Sequence, residues 1–93
     1  MASGQEPDIQ AQEFGFSSLI LMFRTSGLIG LGEIPDPLAQ EARKDLTQVR
    51  QSVFLLEVMK EKTKGNLSSN EEELLDAVLY ELRMKCLQEM KDC

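Results

Sequence analysis

The segment that most constrains the fold is an apolar run near the N-terminus, residues 14–31, which reads FGFSSLILMFRTSGLIGL. Ten of these residues are large and apolar, and in a helix they would surround nearly the whole circumference. We predict a first helix over residues 17–31, ended by Gly32 in the left-handed conformation and by Pro35, which cannot continue a helix. A helix that is apolar all round must be buried in protein or lie in a membrane.

A membrane location fits this helix poorly. Residues 17–31 would rise only about 22 Å, whereas the hydrocarbon core of a bilayer is about 30 Å thick. Arg24 would lie near the middle, where a charge is most costly. Attachment to a membrane surface through helix 17–31 is the alternative function, but the flanking residues lack the basic side chains that such helices use.

Two further helices are predicted, over about residues 45–64 and 69–91. Asp45 with Gln48 three residues later has the form of a capping box, and Ser68, Ser69 and Asn70 each have a glutamate three residues on. An apolar stripe at helical spacing runs along the third helix and comprises Leu75, Val78, Leu79, Leu82 and Cys86. Because the connection between the two helices is short, we expect them to form an antiparallel hairpin.

The expected fold class is therefore all-α: three helices, with the apolar N-terminal helix packed on an antiparallel helical hairpin and the fold completed by homo-oligomerisation. Residues 1–13 are polar and are expected to form a flexible tail, which leaves residues 14–93 as a single helical domain.

Small residues in the first helix suggest how a second copy could pack against it. Ser18, Met22, Ser26 and Gly30 follow one another at i+4 spacing, and Gly27 lies beside them. Each glycine costs about 1 kcal/mol of helix propensity relative to alanine, and close approach of another backbone would compensate for this cost. We interpret these residues as a self-association surface in a dimer or tetramer. The alternative is that the helix forms the central core of a compact monomer.

The composition argues against most chemistry. The chain has no histidine, the residue that most often acts as a general base near neutral pH. Its net charge of −6 disfavours binding to nucleic acid, whose phosphates attract clustered Lys and Arg. It has no phosphate-binding glycine loop and no metal-ligand spacing. We therefore expect no enzyme activity, no catalytic residue, no cofactor and no metal.

Three further expectations concern the partner surface, the cysteines and the location. Tyr80 and Arg83 lie largely off the apolar stripe of the third helix, where they could contact an unidentified protein partner.

Cys86 and Cys93 would lie about 10 Å apart in a continuous helix, too far to form a disulfide with each other. No signal peptide pattern is visible, so the cytoplasm is the expected location.

The residues also resemble a known family. The stretch LLEVMKEKTKGNLSSNEEELLDAVLYELRMK (residues 55–85), with FSSLI and GEIPDP upstream, resembles the bacterial domain-of-unknown-function family numbered 1844. The resemblance implies a small, bacterial, helical protein and supplies neither an activity nor a catalytic residue. The most specific function hypothesis is thus a non-enzymatic interaction protein, an adaptor or an accessory subunit.

Overall fold

The computed structural model describes residues 15–38 and 44–90. Three α-helices form it: α1 (Phe16–Gly30), α2 (Leu46–Lys62) and α3 (Ser69–Met90). The expected all-α fold of three helices is confirmed. The predicted tail, residues 1–13, lies outside the described residues, as does residue 91 at the predicted end of the third helix.

The end of α1 is set by Gly32, as the sequence predicted. Gly32 has a φ of 82°, a left-handed conformation that glycine adopts without a steric penalty. Its N–H donates to the carbonyl of Ile29, and the N–H of Glu33 donates to the carbonyl of Leu28, both at 3.0 Å. This is the Schellman arrangement, which satisfies carbonyls that the helix end would otherwise leave without a donor.

Side-chain caps set the starts of α2 and α3. The Asp45 carboxylate accepts a hydrogen bond from the N–H of Gln48 at 3.2 Å. Ser68 and Glu71 form a reciprocal pair, in which the Ser68 N–H donates to the Glu71 carboxylate at 2.9 Å and the Glu71 N–H donates to the Ser68 hydroxyl at 3.2 Å. This second arrangement is a complete capping box.

Ion pairs between the helices show how they run. Lys60 of α2 contacts Asp76 of α3 near the loop that joins these helices, while Lys44, just before α2, contacts Glu89 near the end of α3. These contacts confirm the antiparallel hairpin. On α1, Arg24 contacts Glu81, and Glu33, just past the helix, contacts Lys85. Helix α1 therefore runs parallel to α3 and antiparallel to α2.

The core contains side chains from all three helices. Its buried apolar members are Ile20, Leu28, Leu31, Val49, Val53, Leu56, Leu75, Val78, Leu79, Leu82 and Cys86. Every residue of the apolar stripe predicted for the third helix is among them. On α1, by contrast, only one side of the helix enters the core, and Leu19, Leu21 and Met22 stay exposed.

The buried Cys86 takes part in a disulfide bond, so its thiol is not free.

Candidate interaction surfaces

Three charged side chains of α1 and α2, those of Arg24, Glu57 and Lys60, form ion pairs with α3. Arg24 is the only charged residue of α1, and its Nε and Nη2 atoms donate to the Glu81 carboxylate at 2.7 and 3.0 Å. On α2, Glu57 accepts a hydrogen bond from Arg83 Nε at 3.1 Å. Arg50 lies seven residues before Glu57, so it occupies the same side of α2. Between Leu46 and Met59, α2 has no other charged residue.

Four charged side chains form a continuous network that joins α1 and the residue just after it to α3. Lys85 Nζ contacts Glu33 at 2.7 Å and Glu81 at 3.4 Å, and Glu81 also holds Arg24. The hydrogen bonds from Arg24 hold the pKa of Glu81 below its usual value. The hydrogen bond to Glu33 raises the pKa of Lys85. The network alternates in sign and fastens α1 to the hairpin on the α3 side.

The opposite side of α1 and α2 carries uncharged residues. Gln48 Nε2 donates to the carbonyl and the hydroxyl of Ser26 at 2.9 and 3.2 Å, which fixes the register of the two helices. Leu19 precedes Ser26 by seven residues and Leu55 follows Gln48 by seven, so each lies two turns away on the same side of its helix. Because α1 and α2 are antiparallel, Leu19 and Leu55 lie at the same level along the line where the two helices meet. Met22 lies one turn before Ser26 on α1.

We call this surface the α1/α2 face. Its members are uncharged and half-buried or exposed: Leu19, Met22, Thr25, Ser26, Gln48, Gln51 and Leu55. Met22 is 66% exposed, and Leu19 and Leu55 are 40% and 42% exposed. A surface with apolar side chains and no charge stands out on a chain in which 28% of residues are charged.

Two of the predicted self-association residues are buried inside the chain itself. A Cβ atom on Gly27 would lie 2.9 Å from Leu82 Cδ2, and one on Gly30 would lie 2.8 Å from Val49 Cγ2. The glycines do permit close approach of another helix, as the sequence suggested, but these approaching helices are α3 and α2 of the same chain. A larger side chain at Gly30 would therefore test the fold and not the association.

The other three predicted residues lie on the outer side of α1. Met22 is exposed, while Ser18 and Ser26 are half-buried, and Ser26 is hydrogen-bonded to Gln48. Self-association through this side of α1 stays a prediction.

Tyr80 and Arg83, the predicted partner surface, differ in their surroundings. Tyr80 is 67% exposed on the side of α3 that faces away from the core. Met84 and Leu87 follow it at i+4 and i+7, and both are 41% exposed, so the three form a stripe that we call the outer α3 stripe. Arg83 instead directs its guanidinium to Glu57 across the hairpin.

Leu19 and Leu55 were not predicted from the sequence to be surface residues. Their positions become evident only when the Ser26–Gln48 contact sets the register of α1 against α2. A signal was present in α2, where Gln48 and Leu55 are seven residues apart on a line without charge until Lys62.

A cleft of about 460 Å³ lies between the end of α2 and the start of α3. Its lining residues are Glu57, Lys60, Glu61, Lys64, Leu67, Glu72 and Arg83. The three cations and three carboxylates balance, and Lys60 and Arg83 are already ion-paired to Asp76 and Glu57. The cleft therefore has no net charge that would select an anion.

Two structural features are absent from residues 15–38 and 44–90. Within these ranges, no three His, Cys, Asp or Glu side chains are grouped so that they could hold a metal ion. None of the helices there combines the length and apolar character needed to cross a membrane.

The fold and its surfaces define a small all-α protein of three helices, whose most distinctive feature is an uncharged face. The model of one protein family, described as a domain of unknown function (DUF1844), matches residues 13–88. This match covers most of the chain, so the protein belongs to that family, and the resemblance found in the sequence is confirmed. Comparisons with curated proteins and with solved structures give no match.

Proposed function

We propose that this protein is a non-enzymatic helical interaction module that associates with itself through the α1/α2 face. The observation that supports the proposal is the combination of apolar exposure and absence of charge on this face. The cores of protein interfaces are depleted in charged residues and enriched in methionine and aromatic residues. Met22, the most exposed apolar residue of α1, lies in the middle of the face.

The charge of the whole chain favours this face for self-association. Each copy has a net charge of −6, so two copies repel unless their acidic groups stay away from the contact. The α1/α2 face meets this requirement because none of its members is acidic and Glu57, further round α2, is engaged on the α3 side. A membrane-surface role is less well supported, because anionic lipid attracts clustered basic residues and the face contains none.

Light scattering after size exclusion, on the full chain with and without reductant, tests the proposal. Two matched variants place a glutamate at an exposed methionine: Met22→Glu on the α1/α2 face and Met84→Glu on the outer α3 stripe. We expect the wild type and Met84→Glu to have at least twice the 10.5 kDa mass of one chain, and Met22→Glu to be monomeric. Circular dichroism checks that both variants stay helical.

Each other outcome has a definite meaning. A monomeric wild type overturns the proposal. A Met22→Glu variant as large as the wild type shows that another surface associates. Co-sedimentation of the wild type with vesicles of mixed neutral and anionic lipid, lost in Met22→Glu but not in Met84→Glu, would favour the membrane-surface function instead.

The outer α3 stripe supports a second candidate, the binding of a separate protein partner. Tyr80, Met84 and Leu87 lie on the far side of α3 from the core, so they stay accessible when two copies associate through the α1/α2 face. This arrangement would suit an adaptor, which needs one surface for assembly and another for its partner. Arg83 contributes less than expected from the sequence, because its guanidinium already binds Glu57.

A further inference from the structure

We infer that the occupant of the α1/α2 face is a second copy of the chain, related by a two-fold axis that runs across the helices, so that α1 lies antiparallel to α1 and α2 antiparallel to α2. The inference rests on the proposed function and adds the geometry of the association. It is drawn from the charges at the two ends of the face.

The two ends of the α1/α2 face carry opposite charges. Lys62 follows Leu55 by seven residues, so it continues the line of Gln48 and Leu55 at the end of α2, where it is exposed. Asp45 is exposed at the start of α2, about 25 Å away along the helix axis. The uncharged α1/α2 face is therefore flanked along α2 by a cation at one end and a carboxylate at the other, and Lys44, beside Asp45, is held by Glu89 on the α3 side.

A face-to-face dimer with two-fold symmetry has two simple arrangements. An axis parallel to the helices places each α1 over the α2 of the other copy and keeps the ends in register, so that Lys62 comes near Lys62 of the second copy. An axis across the helices reverses the second copy, so that Lys62 comes near Asp45 of the second copy. Opposite charges attract and like charges repel, so the second arrangement is favoured.

This arrangement also determines what Met22 contacts. When the second copy is reversed, the middle of each helix lies at the axis and faces itself. Met22 lies near the middle of α1, so it would meet Met22 of the second copy. With the axis along the helices, Met22 would instead meet α2 of the second copy. The contact made by Met22 thus distinguishes the two arrangements.

Mixing two charged variants tests the geometry. Met22→Glu and Met22→Lys, each alone, place like charges at the axis, and we expect each to weaken dimerisation at least tenfold. Mixed in equal amounts, they should form heterodimers at least tenfold tighter than either homodimer, as measured by sedimentation velocity. If the wild type dimerises and both variants are weakened but the mixture gains nothing, the inferred geometry is wrong while the proposed function stands. A monomeric wild type defeats the proposed function itself.

The charged ends provide an independent test with a matched control. Lys62→Gln and Asp45→Asn should each raise the dimer Kd about fivefold, because either change breaks both symmetric pairs. The double variant should be no weaker than either single variant. Lys60→Gln is the matched control, because it removes the same charge two residues away on α2. Lys60 contacts Asp76 on the α3 side, so this variant should leave the dimer Kd unchanged. An equal effect at Lys60 and Lys62, or no effect at Lys62, overturns the inference.

Discussion

Leu82 of α3 packs directly against the backbone of α1 at Gly27. A Cβ atom at Gly27 would lie 2.9 Å from Leu82 Cδ2 and 3.0 Å from Cδ1, closer than ordinary van der Waals contact. About one turn further along the helix, Gly30 lies against the start of α2, where its Cβ atom would lie 2.8 Å from Val49 Cγ2 and 2.9 Å from the carbonyl oxygen of Asp45. Helix α1 thus approaches both helices of the hairpin through glycines.

Gly30→Ala should destabilise the protein more than Gly27→Ala. At Gly30 the obstacle includes the Asp45 backbone, which cannot rotate away, so overpacking should cost about 1–3 kcal/mol. At Gly27 the obstacles are the ends of one leucine side chain, and the gain of about 1 kcal/mol in helix propensity offsets most of the cost. Urea denaturation measures both free energies of unfolding. If Gly30→Ala were as stable as Gly27→Ala, or more stable, this result would contradict the close packing of α1 on α2.

Leu82→Ala should cost about 2–5 kcal/mol of unfolding free energy, because Leu82 is fully buried where α3 packs against α1. Its removal should also eliminate the obstacle at Gly27. Gly27→Ala is therefore expected to be more favourable in the Leu82→Ala background than in the wild type. A double-mutant cycle measures this coupling, and strictly additive effects would show that the two residues do not share the contact.

The decrease in the free energy of unfolding at acidic pH should depend on Glu81. Its pKa is lower in the folded protein than in the unfolded chain, so the folded state binds fewer protons as the carboxylate titrates. The contribution is fully present above the unfolded pKa of about 4.3 and is lost as the pH falls through the folded value. Unfolding free energies measured between neutral pH and pH 3 should fall less steeply in Glu81→Gln. High salt should weaken the wild-type dependence, since the network with Arg24 and Lys85 is partly exposed.

Much of the fold could be predicted because its signals are local. Gly32 ends α1, Asp45 caps α2 and Ser68 pairs with Glu71 where the sequence placed these features. The apolar stripe from Leu75 to Cys86 is buried because its spacing matches the helix period.

The surfaces could not be predicted in the same way, because they depend on the register between helices. The sequence identified Gly27 and Gly30 as sites of close approach but could not show which chain approaches them. Arg24 appears as an isolated charge in an apolar segment, and its partner Glu81 lies 57 residues away. Leu19 and Leu55 lie at the same level only because Gln48 donates a hydrogen bond to Ser26 across the two helices.

Asp45→Ala should destabilise the protein by about 1 kcal/mol, because the Gln48 N–H loses its side-chain acceptor at the start of α2. Asp45→Asn keeps an acceptor oxygen and should retain most of this stability. Thermal or urea unfolding of the two variants separates the capping role of Asp45 from its charge. An equal loss in both would assign the effect to the charge and not to the cap.

Tyr80 offers an optical measure of which surface associates. It is the only tyrosine in a chain without tryptophan, and it lies on the outer α3 stripe. If copies associate through the α1/α2 face, acrylamide should quench its fluorescence equally well in the wild-type assembly and in monomeric Met22→Glu. Dilution of the wild type across its dissociation range should likewise leave the quenching constant unchanged. Protection of Tyr80 in the assembly, relieved on dilution, would place the contact on α3 instead, because a collisional quencher reaches only a ring that no second chain covers.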